Sequence, residues 1–221
     1  MDHRLRCAID ASIGWYDDLC TLHGTASMLA DGLWSALGPP PPLHSAAVTV
    51  EEHVTAERVL DRLADGPPGG VKDSFSTVDL GGAGWELLFE ATWLHLPAPA
   101  APACLPPGWQ EVRDVPGLQR WTSGHDTAEV LLPGLLQSAH FRVLAKVEDE
   151  RVVAGAVARL GSGVVDLSNA HGDGLDWSEL VAAAACIFPG RPLVGYESGD
   201  DLAAAVQSGF SPVGPLRVWV P

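Results

Sequence analysis

KVEDERVVAGAVARLGSGVVDLSNA, residues 146–170, is the stretch that decides the fold. Apolar side chains recur at every second position through Val143, Ala145 and Val147, the period of a half-buried strand. Glu148, Asp149 and Glu150 then form a charged turn, residues 152–159 read as a second strand, Gly161 to Gly163 as a second turn and residues 164–168 as a third strand. Strands joined by such short turns pair antiparallel.

Outward from this stretch the alternation continues. Upstream lie a strand at 109–112, a helix near 117–123 and a strand at 141–147. Downstream, a glycine-bearing loop leads to an apolar helix at 177–188, then a strand at 193–196, a helix at 200–208 and a final strand at 212–220. Asp176 is placed to cap the apolar helix, because its carboxylate can accept from first-turn amides, and Glu179 stands where a capping box would put it. Hairpins followed by βαβα predict an α/β protein, a mixed sheet flanked by helices.

The N-terminal half is shorter in its elements. A helix starts near residue 3 with Leu5, Ile9, Ser12, Ile13 and Tyr16 on one side, and Gly24 and Gly32 interrupt the chain beyond it. The prolines at 39–42 exclude helix there and lead into a short strand at 46–50. Residues 55–65 form an amphipathic helix with Val59, Leu60 and Leu63 inward, ended by PPGG at 67–70. An aromatic and branched segment at 85–96 runs into a Pro/Ala-rich stretch. The expected organisation is therefore a smaller α/β half over 1–100, a linker over 101–108 and a second domain over 109–221.

Composition bounds the function. With 47% hydrophobic residues and 8 Trp, the 221 residues supply their own core. The net charge of -15, from 28 acidic against 13 basic residues, repels phosphate backbones and anionic lipid, so neither nucleic acid nor membrane is expected as a partner. Cys7, Cys20, Cys104 and Cys186 are scattered without a CxxC pair. Together with an N-terminus that carries Asp2, Arg4, Arg6 and Asp10 instead of a secretory pattern, they predict a reduced, cytoplasmic protein. The apolar run near 180–188 is too short to cross a bilayer. No HExxH, HxxxH or His/Cys cluster supports a metal, and there is no GxSxG, phosphate-binding P-loop or dinucleotide fingerprint.

The ending GDDLAAAVQSGFSPVGPLRVWV, residues 199–220, resembles the closing helix, Gly-Phe turn and last strands of the GNAT superfamily of N-acyltransferases, and residues 146–170 resemble the long antiparallel strands that precede its acyl-CoA site. The resemblance covers residues 109–221. Phe75-Ser76-Thr77-Val78 and Phe210-Ser211-Pro212-Val213 echo one another, each before a Trp-bearing strand, which leaves two readings of the N-terminal half: a reduced GNAT-like repeat, or a chance similarity of four positions. The resemblance implies transfer of an acyl group, acetyl foremost, from acetyl-CoA or another acyl-CoA to a small-molecule amine or a protein amino group. The alternative is a catalytically silent module that binds a ligand or a partner protein.

Matching the family's positions assigns candidates. Ser168, Asn169, His171, Gly172 and Gly174 fall where the family holds the cofactor, yet the loop lacks the family's Arg or Gln, and Asp173 and Asp176 put negative charge where phosphate would lie. Ala205 replaces the family's acidic tyrosine and Ser198 its asparagine. Other groups must then supply acid and base. His125 beside Asp126 is a candidate base, and Tyr196 with Glu197, at a strand end, are candidates for acid and base respectively. In the N-terminal half, His44 behind its rigid prolines and Trp93 are candidates for lining a substrate pocket.

Overall fold

A computed structural model describes residues 2–64, 66–173 and 175–221. In chain order it runs through α1 (His3–Leu22), β1 (Ser27–Ala30), β2 (Leu33–Ala36), β3 (Ala47–Thr49), α2 (Ala56–Ala64), β4 (Val71–Asp73) and β5 (Glu86–Leu96). There follow β6 (Trp109–Val112), α3 (Val115–Ser123), β7 (Phe141–Glu148), β8 (Arg151–Gly161), β9 (Val164–His171), α4 (Trp177–Ile187), β10 (Leu193–Glu197), α5 (Gly199–Gln207) and β11 (Ser211–Val220). The α/β organisation expected from the sequence is the one found. The chain divides into two compact units, residues 1–93 with 213–221, and residues 94–212. That division differs from boundaries at 100 and 109, because the last strand completes the first unit and not the second.

In the first unit the strand order is β1-β2-β3-β4-β11, with β3 and β4 parallel and the other pairs antiparallel. Asp2 caps α1 by accepting from the Arg4 amide at 2.9 Å, and the helix buries one face through Ile9, Ser12, Ile13, Tyr16 and Leu19. The β1–β2 hairpin closes on Asp31 and Gly32, both left-handed at φ 53° and 76°. A two-residue Asp-Gly turn matches the twist of the strands it joins. Leu33, Val59, Val71, Leu80 and Trp219 form this unit's apolar cluster.

The polar interior of the first unit is built around two neighbouring charges. Asp73, with no exposed surface, accepts from Thr49 Oγ1 at 3.2 Å, from the Phe75 amide at 3.2 Å and from the Val78 amide at 2.7 Å. Its neighbour Lys72 donates to Ser12 Oγ at 3.0 Å, and its ammonium lies 4.6 Å from the centroid of the Trp93 ring. A buried ammonium is tolerable only with such partners.

The second unit has strand order β10-β9-β8-β7-β6, antiparallel except for the parallel β9–β10 pair. Its core brings Leu144 of β7, Ala156 and Ala158 of β8, Val165 and Leu167 of β9 and Leu193 of β10 against Trp177, Leu180 and Ala184 of α4. The helix starts where expected: Asp176 Oδ1 accepts from the Ser178 amide at 2.8 Å and the Glu179 amide at 3.3 Å. Glu179 does not complete a capping box. Its carboxylate instead meets Lys146 Nζ at 2.8 Å and the Trp109 indole at 3.0 Å, since a charged partner is stronger than a return bond to the backbone.

Candidate functional site

Two features of β9 place the candidate residues. The first is a register shift against β8: Val157 stands opposite Ser168, but Gly155 stands opposite His171, so β9 carries extra backbone in between. Asn169 sits there with φ 53°, a left-handed conformation that asparagine tolerates better than most residues. The shift reverses the alternation of the strand. Val165 and Leu167 pack into the α4 cluster, and so does Ala170, where an unbroken strand would have sent His171. His171 therefore faces α3.

There it meets aromatic neighbours. The His125 and His171 rings stack with centroids 4.3 Å apart and planes 10° from parallel. Trp121 presents an edge-on contact to His171 at 4.4 Å, and its own indole donates to the Leu144 carbonyl at 2.9 Å, which fixes the ring. Trp121 is in the last turn of α3 and His125 follows the Gly124 cap, in a turn where its amide donates to the Thr122 carbonyl at 3.1 Å; their sequence separation of four is that of neighbours on a helix face. That spacing was the available signal for Trp121, which sequence reasoning passed over.

A cleft of about 630 Å³ opens beside the stack, lined by His125, His171, Lys146, Glu148, Arg151 and Asp173 among others. His171 Nδ1 lies 3.1 Å from the Asn169 carbonyl. A carbonyl only accepts, so this bond requires the hydrogen on Nδ1 and leaves Nε2 a bare acceptor. Burial lowers the basicity of both histidines; the neighbouring His171 adds to the effect at His125, and Asp126 opposes it.

The second feature is the short β9–β10 ladder. Leu193 pairs with Val165 and Val194 with Asp166. Beyond that ladder both strands run on, β9 through its bulge at Asn169 and β10 to its end at Glu197. Glu197 is half-buried, and burial followed by the nearby charge of Asp201 raises its pKa to about 8. At neutral pH its carboxyl keeps a proton, which suits an acid and not the base expected from sequence. Tyr196, beside it, is half-buried and engaged in an interaction of its own. Ser168 and Asn169 hold one another, the Asn169 amide donating to Ser168 Oγ at 3.2 Å.

The structure thus joins His125, His171 and Gly172 at one cleft, with Ser168 and Asn169 at the bulge behind it, while Gly174 lies outside the described residues. His44 and Trp93 belong to the first unit and are used in packing. The Trp93 indole is 1% exposed and donates to the Ser74 carbonyl at 3.0 Å, because so large an apolar ring gains most from full burial. His44 accepts from the Trp15 indole at 2.9 Å while its Nδ1 faces the Pro42 carbonyl at 2.9 Å; burial lowers its pKa to about 4. Among the described residues no group of three or more His, Cys, Asp or Glu is arranged to hold a metal, and no helix is long and apolar enough to cross a membrane.

No family model matches the sequence and no curated protein matches it. Solved structures do. A GCN5-related N-acetyltransferase from Kribbella flavida superposes with TM-score 0.67 at 14% identity, over 99% of this chain and 95% of that one. The chain has the GNAT fold. A functionally unknown conserved protein from Staphylococcus epidermidis shares it with TM-score 0.62 at 11% identity, over 88% of this chain and 93% of that one. So does a GCN5-related N-acetyltransferase-like protein from Streptococcus suis, with TM-score 0.55 at 12% identity over 98% of each chain.

Within this GNAT fold the loop after β9 fits a pyrophosphate poorly. The amides of Ser178 and Glu179, which a phosphate would use, are already taken by Asp176, and Asp173 is exposed alongside. Gly172, at φ 124°, is exposed at the cleft and leaves no room for a side chain on its β8 side: a side-chain carbon there would run into the Val153 carbonyl and lie 2.5 Å from Ala154 Cα. Its glycine serves close packing against β8. Ala205, in the place of the family's tyrosine, is fully buried in the core cluster.

Proposed function

We propose that the protein transfers an acyl group, acetyl foremost, from a thioester donor to an amine. The observation that carries this reading is Glu197, a half-buried carboxyl at the end of β10, beyond the β9–β10 ladder, whose pKa burial raises to about 8 so that it holds its proton at neutral pH. Acyl transfer needs such a donor: as the amine nitrogen bonds to the acyl carbon and the carbon–sulfur bond breaks, the departing sulfur must take up a proton. Glu197 supplies it from the chain's own residues, in place of the missing tyrosine. Acetyl-CoA is the first donor to test. With the pyrophosphate poorly accommodated, recognition rests on the thioester end of the donor.

Calorimetric titration with acetyl-CoA and with S-acetylpantetheine, which lacks the diphosphate, checks the reading. The two should bind within about tenfold of each other, a difference of about 1.4 kcal/mol. Failure of the folded protein to bind either at millimolar concentration sinks it. In turnover assays the rate should fall as pH rises through 8, where the Glu197 proton is lost, and Glu197→Gln should remove that limb.

A second reading, the silent ligand or partner module, is favoured by one observation: the Asp176 cap that occupies the α4 amides. Binding of S-acetylpantetheine without turnover of any amine would support it.

A further inference from the structure

The cleft beside the histidine stack holds an acceptor atom that the fold has set up and left unused. His171 Nε2 has no protein partner among the described residues, its tautomer is fixed by the Asn169 carbonyl, and its ring is clamped between His125 and the edge of Trp121. Fixing a ring from three sides costs conformational entropy. The packing histidine His44 uses both ring nitrogens, whereas His171 is held as firmly at the wall of a cleft with Nε2 unoccupied. We propose that this cleft is the subsite for the acceptor amine, specifically an α-amino group, whose N–H is received by His171 Nε2.

The proposal rests on the acyl-transfer reading for the fate of that proton. As the nitrogen attacks the thioester carbon, the N–H proton passes to Nε2, the new amide bond forms, and the sulfur leaves with the proton from Glu197; the imidazolium and the carboxylate then return to their starting states through solvent. Asn169 is a positioning residue, acting through its carbonyl on Nδ1.

The surrounding charges point to the amine's class. Lys146 is neutralised by Glu179 at 2.8 Å and by Glu148 at 3.7 Å, Arg151 lies at the exposed start of β8, and Asp173 and Asp126 add negative charge. A cation-forming group is therefore not repelled. Burial holds His171 below its ordinary 6.5, so it is a weak base. An α-amino group, with a pKa of about 8, is already largely neutral just above that pH, whereas a lysine side chain near about 10.4 reaches the cleft as an ammonium that so weak a base cannot deprotonate.

Side-chain nitrogen NMR of the full chain tests this without any donor present. At pH 8 His171 should show its hydrogen on Nδ1, and glycinamide should shift Nε2 saturably, with n-butylamine binding about tenfold more weakly, a difference of about 1.4 kcal/mol. A hydrogen found on Nε2 of the wild-type protein, or no response to glycinamide, overturns the proposal, and neither result depends on a variant that folds. If the thioester fails to bind while glycinamide still shifts His171, the acyl-transfer reading falls and the amine subsite stands. If the thioester binds and glycinamide leaves His171 untouched, the reverse holds. Where turnover is measurable, His171→Gln should lower kcat by about 100-fold with the donor KM unchanged, and should remove the acidic limb of the pH profile.

Discussion

Two sets of polar groups, one in each unit, are used differently. In the first, Asp73 accepts three hydrogen bonds, Lys72 is held by Ser12 beside the Trp93 ring, and His44 accepts from Trp15, so each named group is committed to structure. In the second, His171 keeps a bare nitrogen and Glu197 a proton that burial stabilises. A polar group with its partners satisfied rigidifies a core even where burial shifts its protonation, as at His44, while one that keeps a bare acceptor or a proton is available for chemistry. On the function proposed above, the contrast leaves architecture to one unit and reactivity to the other.

Asp73→Ala should produce the largest effect. It leaves two buried amides and the Thr49 hydroxyl without their acceptor, so chemical denaturation should show a loss of about 3–5 kcal/mol. A loss below about 1 kcal/mol would break the comparison, because Asp73 would then be no more committed than a surface carboxylate.

Gly172→Ala comes next. The added carbon collides with β8 backbone at a left-handed φ, so about 2–3 kcal/mol should be lost, and the His125–His171 stack should loosen, visible in histidine NMR. Stability unchanged with the stack intact would mean that the strand end has freedom to move.

Acid sharpens the comparison from the other side. His44 is neutral in the folded state with a pKa of about 4 against an ordinary 6.5, so the unfolded chain binds its proton first. The stability it contributes is present in full above pH 6.5 and is lost as pH falls towards 4. Denaturation curves across that window should slope for the wild type and flatten for His44→Leu at this unit's transition.

Smallest in stability is Asp176→Ala, which removes a helix cap worth about 1 kcal/mol. It also frees the Ser178 and Glu179 amides, so acetyl-CoA should bind more tightly while S-acetylpantetheine does not change. Equal gains for both ligands would show that the carboxylate acts through its general field and not by occupying a phosphate site.

Much of the second unit is legible in the sequence because its elements are long and periodic: β6 falls on residues 109–112 as expected, and α4 and β10 differ by one residue at an end. The first unit is harder to read. Its β1–β2 hairpin is missing from the expected elements although Asp31-Gly32 between apolar runs is a recognised turn signal, since Gly32 by itself reads as no more than an interruption. Strand β4 is hidden because two of its three residues, Lys72 and Asp73, are charged, and nothing local says that they find partners. At the site, His125 and His171 are legible as titratable residues near strand and helix ends. Their stacking is not, since it depends on a bulge that reverses the strand's faces, and a left-handed Asn169 leaves no periodic trace. The raised pKa of Glu197 is likewise invisible in sequence, being set chiefly by burial in the folded chain.

The return of β11 to the first unit has a consequence for synthesis. Strand β4 pairs with residues 217–219, and the whole second unit lies between them in the chain. On a ribosome that moves from one end to the other, the second unit can therefore collapse while the first still waits for its last strand. The first unit's charged interior, built around Lys72 and Asp73, is sealed only once residues 217–219 have emerged, which makes newly made chains most vulnerable to proteases in the part that emerged first.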